Sequence, residues 1–119
     1  MSTTYKTGQK DTRPWGDWEV IDAADQYIVK RIRVTPQNKL SLQLHHHRTE
    51  HWIIAEGTAT ITLDDKVFEA PQGTHIFVDK GQKHRMANNT EDTLICIEVQ
   101  AGDTSEDDIV RFEDAYGRV

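Results

Sequence analysis

A chain of 119 residues can bury one modest core, so a single domain over residues 13–119 is expected behind a polar N-terminal arm, residues 1–12. Twenty acidic against 14 basic residues give a net charge of −6 with no basic tract, which argues against a nucleic-acid partner. No run approaches the ~20 apolar residues that span a bilayer, and the polar start lacks the apolar stretch of a signal peptide, so no membrane association and a cytoplasmic location are expected.

Arg13-Pro14-Trp15-Gly16 opens the fold, and Trp15 and Trp18 read as packing or interface anchors. Residues 18–21 and 26–35 are predicted strands separated by a polar turn. In the second, Ile28, Lys30, Ile32 and Val34 share one face, and Tyr27, Val29, Arg31 and Arg33 share the other. Lys30 on the apolar side is costly unless it snorkels to the rim or has an anionic partner, either an inward carboxylate or a ligand.

A turn over residues 36–39 leads into a strand that ends in Gln43-Leu44-His45-His46-His47-Arg48-Thr49-Glu50-His51-Trp52, where four of the six histidines fall within ten residues. Residues two apart on a strand share a face, so Gln43 and His45 point inward together. A short turn through residues 47–49 then returns Glu50 to the inner face, all within one hairpin. A rival register uses His45, His47 and Glu50. Further strands are predicted over 58–63, 67–68 and 75–78, and the loop 79–83 delivers His84 as one more ligand. An amide oxygen, two imidazoles and a carboxylate suit one divalent ion: Zn, Mn, Fe, Co or Ni.

Residues 93–99 form the last strong strand, with Ile95, Ile97 and Val99 as its apolar face and Leu94, Cys96, Glu98 and Gln100 opposite. Cys96 is the only cysteine, which rules out an intrachain disulfide, and reads as a small core hydrophobe. Residues 105–114 are predicted as a short C-terminal helix capped by Ser105. Eight or more short strands with short connections predict an all-β double-sheet jelly roll.

Gln43, His45, Glu50 and Gly57 fit the first half of the two-part cupin signature. Gly73, Asp79, Gly81, His84 and Asn88 fit the second, with Asp79 in place of proline and Gln43 in place of the commoner histidine. Longer stretches, including 13–16, 40–43, 45–52, 97–100 and 106–118, resemble the type II mannose-6-phosphate isomerases, the C-terminal half of bifunctional mannose-1-phosphate guanylyltransferase/mannose-6-phosphate isomerase. Nothing resembles the Gly-rich nucleotide-binding segment of the other half, and nucleotidyl transfer is not expected.

The resemblance implies a cupin double-stranded β-helix, a jelly-roll barrel holding one divalent metal ion on Gln43, His45, Glu50 and His84. It implies metal-dependent interconversion of mannose 6-phosphate and fructose 6-phosphate. Arg48 is expected to stabilise charge or contact phosphate, and Arg85 and Lys30 to bind the phosphorylated hexose. Glu98, Lys30 and His46 are the candidates for the proton-moving base. Two other readings are a metal- and sugar-binding cupin without catalysis and an Fe-dependent dioxygenase. A homodimer is expected, because so small a jelly roll has exposed sheet to cover.

Overall fold

A computed structural model describes residues 5–105 and 108–116 of the chain. The strands are β1 (Lys10–Arg13), β2 (Gly16–Ala23), β3 (Tyr27–Val34), β4 (Leu42–Leu44), β5 (Arg48–Glu56) and β6 (Thr58–Leu63), followed by β7 (Lys66–Pro71), β8 (His75–Val78), β9 (His84–Ala87), β10 (Leu94–Gly102) and β11 (Val110–Glu113). They build a six-stranded sheet in the order β1-β2-β3-β10-β5-β8 and a five-stranded sheet in the order β11-β4-β9-β6-β7. All pairings are antiparallel, as the jelly-roll expectation requires.

Period-two patterning sets the inner faces. On β3 Ile28, Lys30, Ile32 and Val34 are buried, while Tyr27, Arg31 and Arg33 are exposed. Arg31 and Arg33 instead form ion pairs across to Glu19 and Asp17 on β2. Glycine permits the close crossing at the start of β2: at φ 151° a Cβ on Gly16 would sit 1.9 Å from the Arg33 carbonyl oxygen.

The interior divides along the strands. On β10 the buried series runs Leu94, Cys96, Glu98, Gln100, and on β5 it runs Ile54, Trp52, Glu50, Arg48. On β9 Met86 gives way to His84. One end is therefore an apolar core with Ile54, Ile61, Ile76 and Leu94, each side chain worth about 1.5–3 kcal/mol on burial. The other end is lined by polar groups.

The two faces of β10 divide as its alternation predicts, and the mixed face is the one turned inward. Ile95, Ile97 and Val99 face outward and are only half-buried, while Glu98 and Gln100 point inward with Leu94 and Cys96. Alternation alone assigns the apolar side to the core, but here the inside of the barrel is partly a polar site.

Two expectations are corrected. Strands β4 and β5 are not a hairpin, because they lie in different sheets and the chain turns a corner between them. That corner sets Gln43 and His45 on one wall and Glu50 on the facing wall. The short C-terminal helix is absent among the described residues: β11 pairs with β4, with Arg111 opposite Gln43, and residues 106–107 lie outside the described residues. Partnering a sheet edge outweighs the local helix signals.

Of the segment expected as an arm, residues 1–4 lie outside the described residues. Tyr5 is buried with its ring edge-on to Trp18 at 5.6 Å, and β1 pairs with β2.

Candidate metal centre

His45 stands at the corner after β4. Its Nδ1 is 2.5 Å from the Asp108 carbonyl oxygen, and the Asp108 carboxylate accepts the His46 and His47 amides at 2.9 and 2.8 Å. His84, the first residue of β9, has its Nδ1 2.9 Å from the Gln82 carbonyl. A carbonyl oxygen only accepts, so each imidazole carries its proton on Nδ1 and turns the Nε2 lone pair inward. The Gly81 amide donates to the His45 carbonyl at 2.7 Å and ties the two ligand loops together.

Glu50 enters from the opposite wall on β5. Its carboxylate accepts from Arg48 Nε at 2.9 Å and from the Trp52 indole at 3.0 Å. One ligand atom each from His45, Glu50 and His84 lie within 4.8 Å of one another, and all three residues are buried. Gln43 is paired with His84 in the ladder and donates its side-chain amide to Ser41 Oγ at 3.1 Å.

Protonation states favour metal binding. Burial, opposed by Glu50 and aided by the Arg48 charge, lowers His45 to about 4, leaving it neutral. Burial alone would raise Glu50, but Arg48, the two imidazoles and the Trp52 N–H hold it below the usual carboxylate range. The 3.3 Å approach of His45 Nε2 to Glu50 Oε2 is therefore no ion pair at neutral pH. It is a neutral imidazole beside a carboxylate, the forms a cation requires. Two aimed imidazoles and one carboxylate fit a divalent ion by donor chemistry.

Around this centre lies a cavity of about 470 Å³, within the range of small-molecule sites. Its walls carry five basic side chains, Arg13, Lys30, Arg48, Arg85 and Arg111, against the carboxylates Glu50 and Glu98. In a chain of net charge −6 this is a local reversal of sign.

Arg48 is buried and bridges the ligands: besides Glu50 it reaches His45 Nε2 at 3.0 Å. Lys30 holds its ammonium 3.9 Å from the Tyr5 ring centroid and 4.5 Å from that of Trp18, and stands opposite Glu98 across the β3–β10 ladder. Arg85 donates to the Leu40 and Glu113 carbonyls. Burial and the nearby Glu50 charge raise Glu98 to about 7, against the pull of Lys30, Arg48 and a hydrogen bond from Gln100. His46 and His47 are exposed, so the register through His47 is not assembled; His51 stacks on His75 on the outer face of the sheet.

The profile of the family described as "Mannose-6-phosphate isomerase C-terminal" matches residues 2–114. The chain belongs to this family. It is 48% identical to the xanthan biosynthesis protein XanB of Xanthomonas campestris over 111 residues, 92% of this chain and 24% of that one. It is 46% identical to mannose-1-phosphate guanylyltransferase of Escherichia coli over 108 residues, 90% of this chain and 23% of that one. The chain thus spans about a quarter of the length of these relatives.

Among solved structures it superposes on a Klebsiella pneumoniae protein with a double-stranded β-helix domain, with a TM-score of 0.72 at 18% identity, covering 81% of this chain and 78% of that one. The capsular polysaccharide assembling protein CapF of Staphylococcus aureus gives a TM-score of 0.76 at 16% identity, covering 88% of this chain and 34% of that one. The fold is the cupin double-stranded β-helix.

Asp108, Gln100 and Arg111 were not legible as site residues. Asp108 and Arg111 fall in the stretch read as a helix, where an acidic residue is absorbed as a favourable helix-dipole charge. For Gln100 the available signal was its two-residue spacing from Glu98, which places both on one face.

Proposed function

We propose that the chain is a metal-dependent aldose–ketose isomerase that interconverts mannose 6-phosphate and fructose 6-phosphate. The observation that carries this reading is the convergence of His45, Glu50 and His84 at the base of a cation-lined cavity, in a chain of this family. His45, Glu50 and His84 would hold one divalent ion, with the Gln43 amide oxygen as a fourth ligand. When bound, such an ion supplies Lewis-acid polarisation of the sugar oxygens on C1 and C2.

The chain's own groups do the rest. In its carboxylate form Glu98 takes the proton from C2 of the aldose, breaking that C–H bond, and returns it to C1; a hydroxyl proton passes from the C2 oxygen to the C1 oxygen, so the exchange balances without oxidant or reductant. A buried carboxyl held above the ordinary carboxylate range in the metal-free chain is suited to both halves of that transfer. Of the other two base candidates, His46 is exposed and Lys30 has its ammonium over two aromatic rings. Arg48 keeps Glu50 ionised and stabilises negative charge developing on the sugar oxygens. Lys30 and Arg85 contribute to binding the phosphorylated end.

Incubating the protein with a divalent ion and mannose 6-phosphate, without oxygen, tests this reading. Appearance of fructose 6-phosphate is expected; tight binding of the sugar phosphate without turnover would leave a binding protein instead. A homodimer belongs to the same proposal, supported by Ile53, Phe77 and Tyr27, which are exposed on the outer face of the six-stranded sheet. Sedimentation at micromolar concentration should give twice the chain mass, and a monomer would contradict it.

A further inference from the structure

The cavity holds two buried polar atoms without a hydrogen-bond partner among the described residues, and they face from opposite walls. One is Arg111 Nε on β11 of the five-stranded sheet; the other is Gln100 Oε1 on β10 of the six-stranded sheet. Arg111 lies opposite Gln43, and Gln43 lies opposite His84, so the arginine shares one cross-strand row with two of the proposed ligands. Gln100 lies opposite Glu50 and spends its side-chain N–H on Glu98.

The other cations of the cavity are engaged. Arg13 pairs with Asp11, Arg48 binds Glu50 and His45, Arg85 donates to two carbonyls, and Lys30 sits over Tyr5 and Trp18. The Arg111 side chain makes no hydrogen bond or ion pair among the described residues. A buried guanidinium N–H with no acceptor is unfavourable until an acceptor reaches it, and native proteins leave few such groups unexplained.

We propose that Arg111 adds to Lys30 and Arg85 in binding the anionic end of the ligand, taking a phosphate oxygen on Nε, while Gln100 Oε1 accepts a sugar hydroxyl on the other wall. This rests on the sugar-phosphate reading above. An unmatched donor and an unmatched acceptor on opposite walls of the metal centre suit a ligand that carries an anion at one end and hydroxyl groups at the other. Guanidinium is the appropriate chemistry, because its fork binds phosphate through two parallel N–H groups.

The test is calorimetric titration of the metal-loaded protein with mannose 6-phosphate, inorganic phosphate and neutral mannose. Parent, Arg111→Met and Arg111→Lys are compared, with thermal midpoints taken alongside. Arg111→Met should weaken mannose 6-phosphate and inorganic phosphate by about ten- to a hundredfold and leave mannose unchanged. Arg111→Lys keeps the charge without the Nε donor and should fall between. Parental phosphate affinity in either folded variant, or a loss for neutral mannose as large as for the phosphate ester, would overturn the assignment. So would a parent protein that binds neither phosphate ligand. A parent that binds phosphate through Arg111 yet never isomerises the sugar would uphold the anion site and reject the isomerase reading.

Discussion

Replacing Glu98 by glutamine should make the metal-free protein more stable at alkaline pH and leave it nearly unchanged at acid pH. Glu98 is buried beside the ionised Glu50, and these two causes raise its carboxyl to about 7 from an ordinary value of 4.5. A carboxyl whose folded value is raised contributes stability that is complete below the unfolded value and is lost as pH climbs through the folded one. The window is therefore from about 4.5 to about 7. The tighter hold on the proton corresponds to on the order of 3 kcal/mol. Glutamine mimics the protonated acid, since its carbonyl oxygen can still accept the Gln100 N–H that Glu98 accepts now. Denaturant unfolding of chelated parent and variant at pH 5 and pH 8.5 isolates the effect, because other titrating groups cancel in the difference. The gap should open by a few kcal/mol in the variant's favour at the higher pH. Parallel profiles would refute the placement of Glu98 as a proton-holding acid. The same substitution removes the proposed proton carrier, so turnover of the metal-loaded variant should fall by about 10²–10⁴.

Glu50→Ala and His84→Ala should each lose most of the bound metal on dialysis, since each removes one of about four protein ligands; parental metal content in both would dismiss the ligand set. Lys30→Met should weaken binding of a phosphorylated sugar about tenfold or more while the fold persists, because the stem is replaced by similar apolar volume. An unfolding midpoint that drops with no change in affinity would assign Lys30 to the fold alone, through its contacts with the Tyr5 and Trp18 rings. Cys96 is held well above the ordinary thiol value by burial, with the Glu98 and Glu50 charges adding to it. It should resist a thiol reagent in the native state and react once denatured; rapid modification of folded protein would contradict its burial.

The grouping of His45, Glu50 and His84 was legible because it depends largely on local spacing. Gln43 and His45 share a face by strand periodicity, and the spacing of Gly81 and His84 places a loop before a returning strand. What local spacing cannot carry is the sheet to which each strand belongs. Residues 43–50 read equally well as a hairpin or as a corner, and only pairing with distant β9 and β10 decides it. The alternation of β10 separates Ile95, Ile97 and Val99 from Leu94, Cys96, Glu98 and Gln100, but a hydrophobicity rule alone would put the core on the first side. A barrel that encloses a polar site inverts that rule locally. Residues 110–113 have helix-compatible neighbours, but their fate is set by the open edge of β4, which is remote in sequence. Arg111 and Asp108 went unread for the same reason.

The most direct measurement is turnover of mannose 6-phosphate by protein of known metal content, with and without chelator. Fructose 6-phosphate should form in proportion to bound divalent ion, with activity lost on chelation and recovered when the ion is restored. Full metal occupancy on His45, Glu50 and His84 with no interconversion would contradict it.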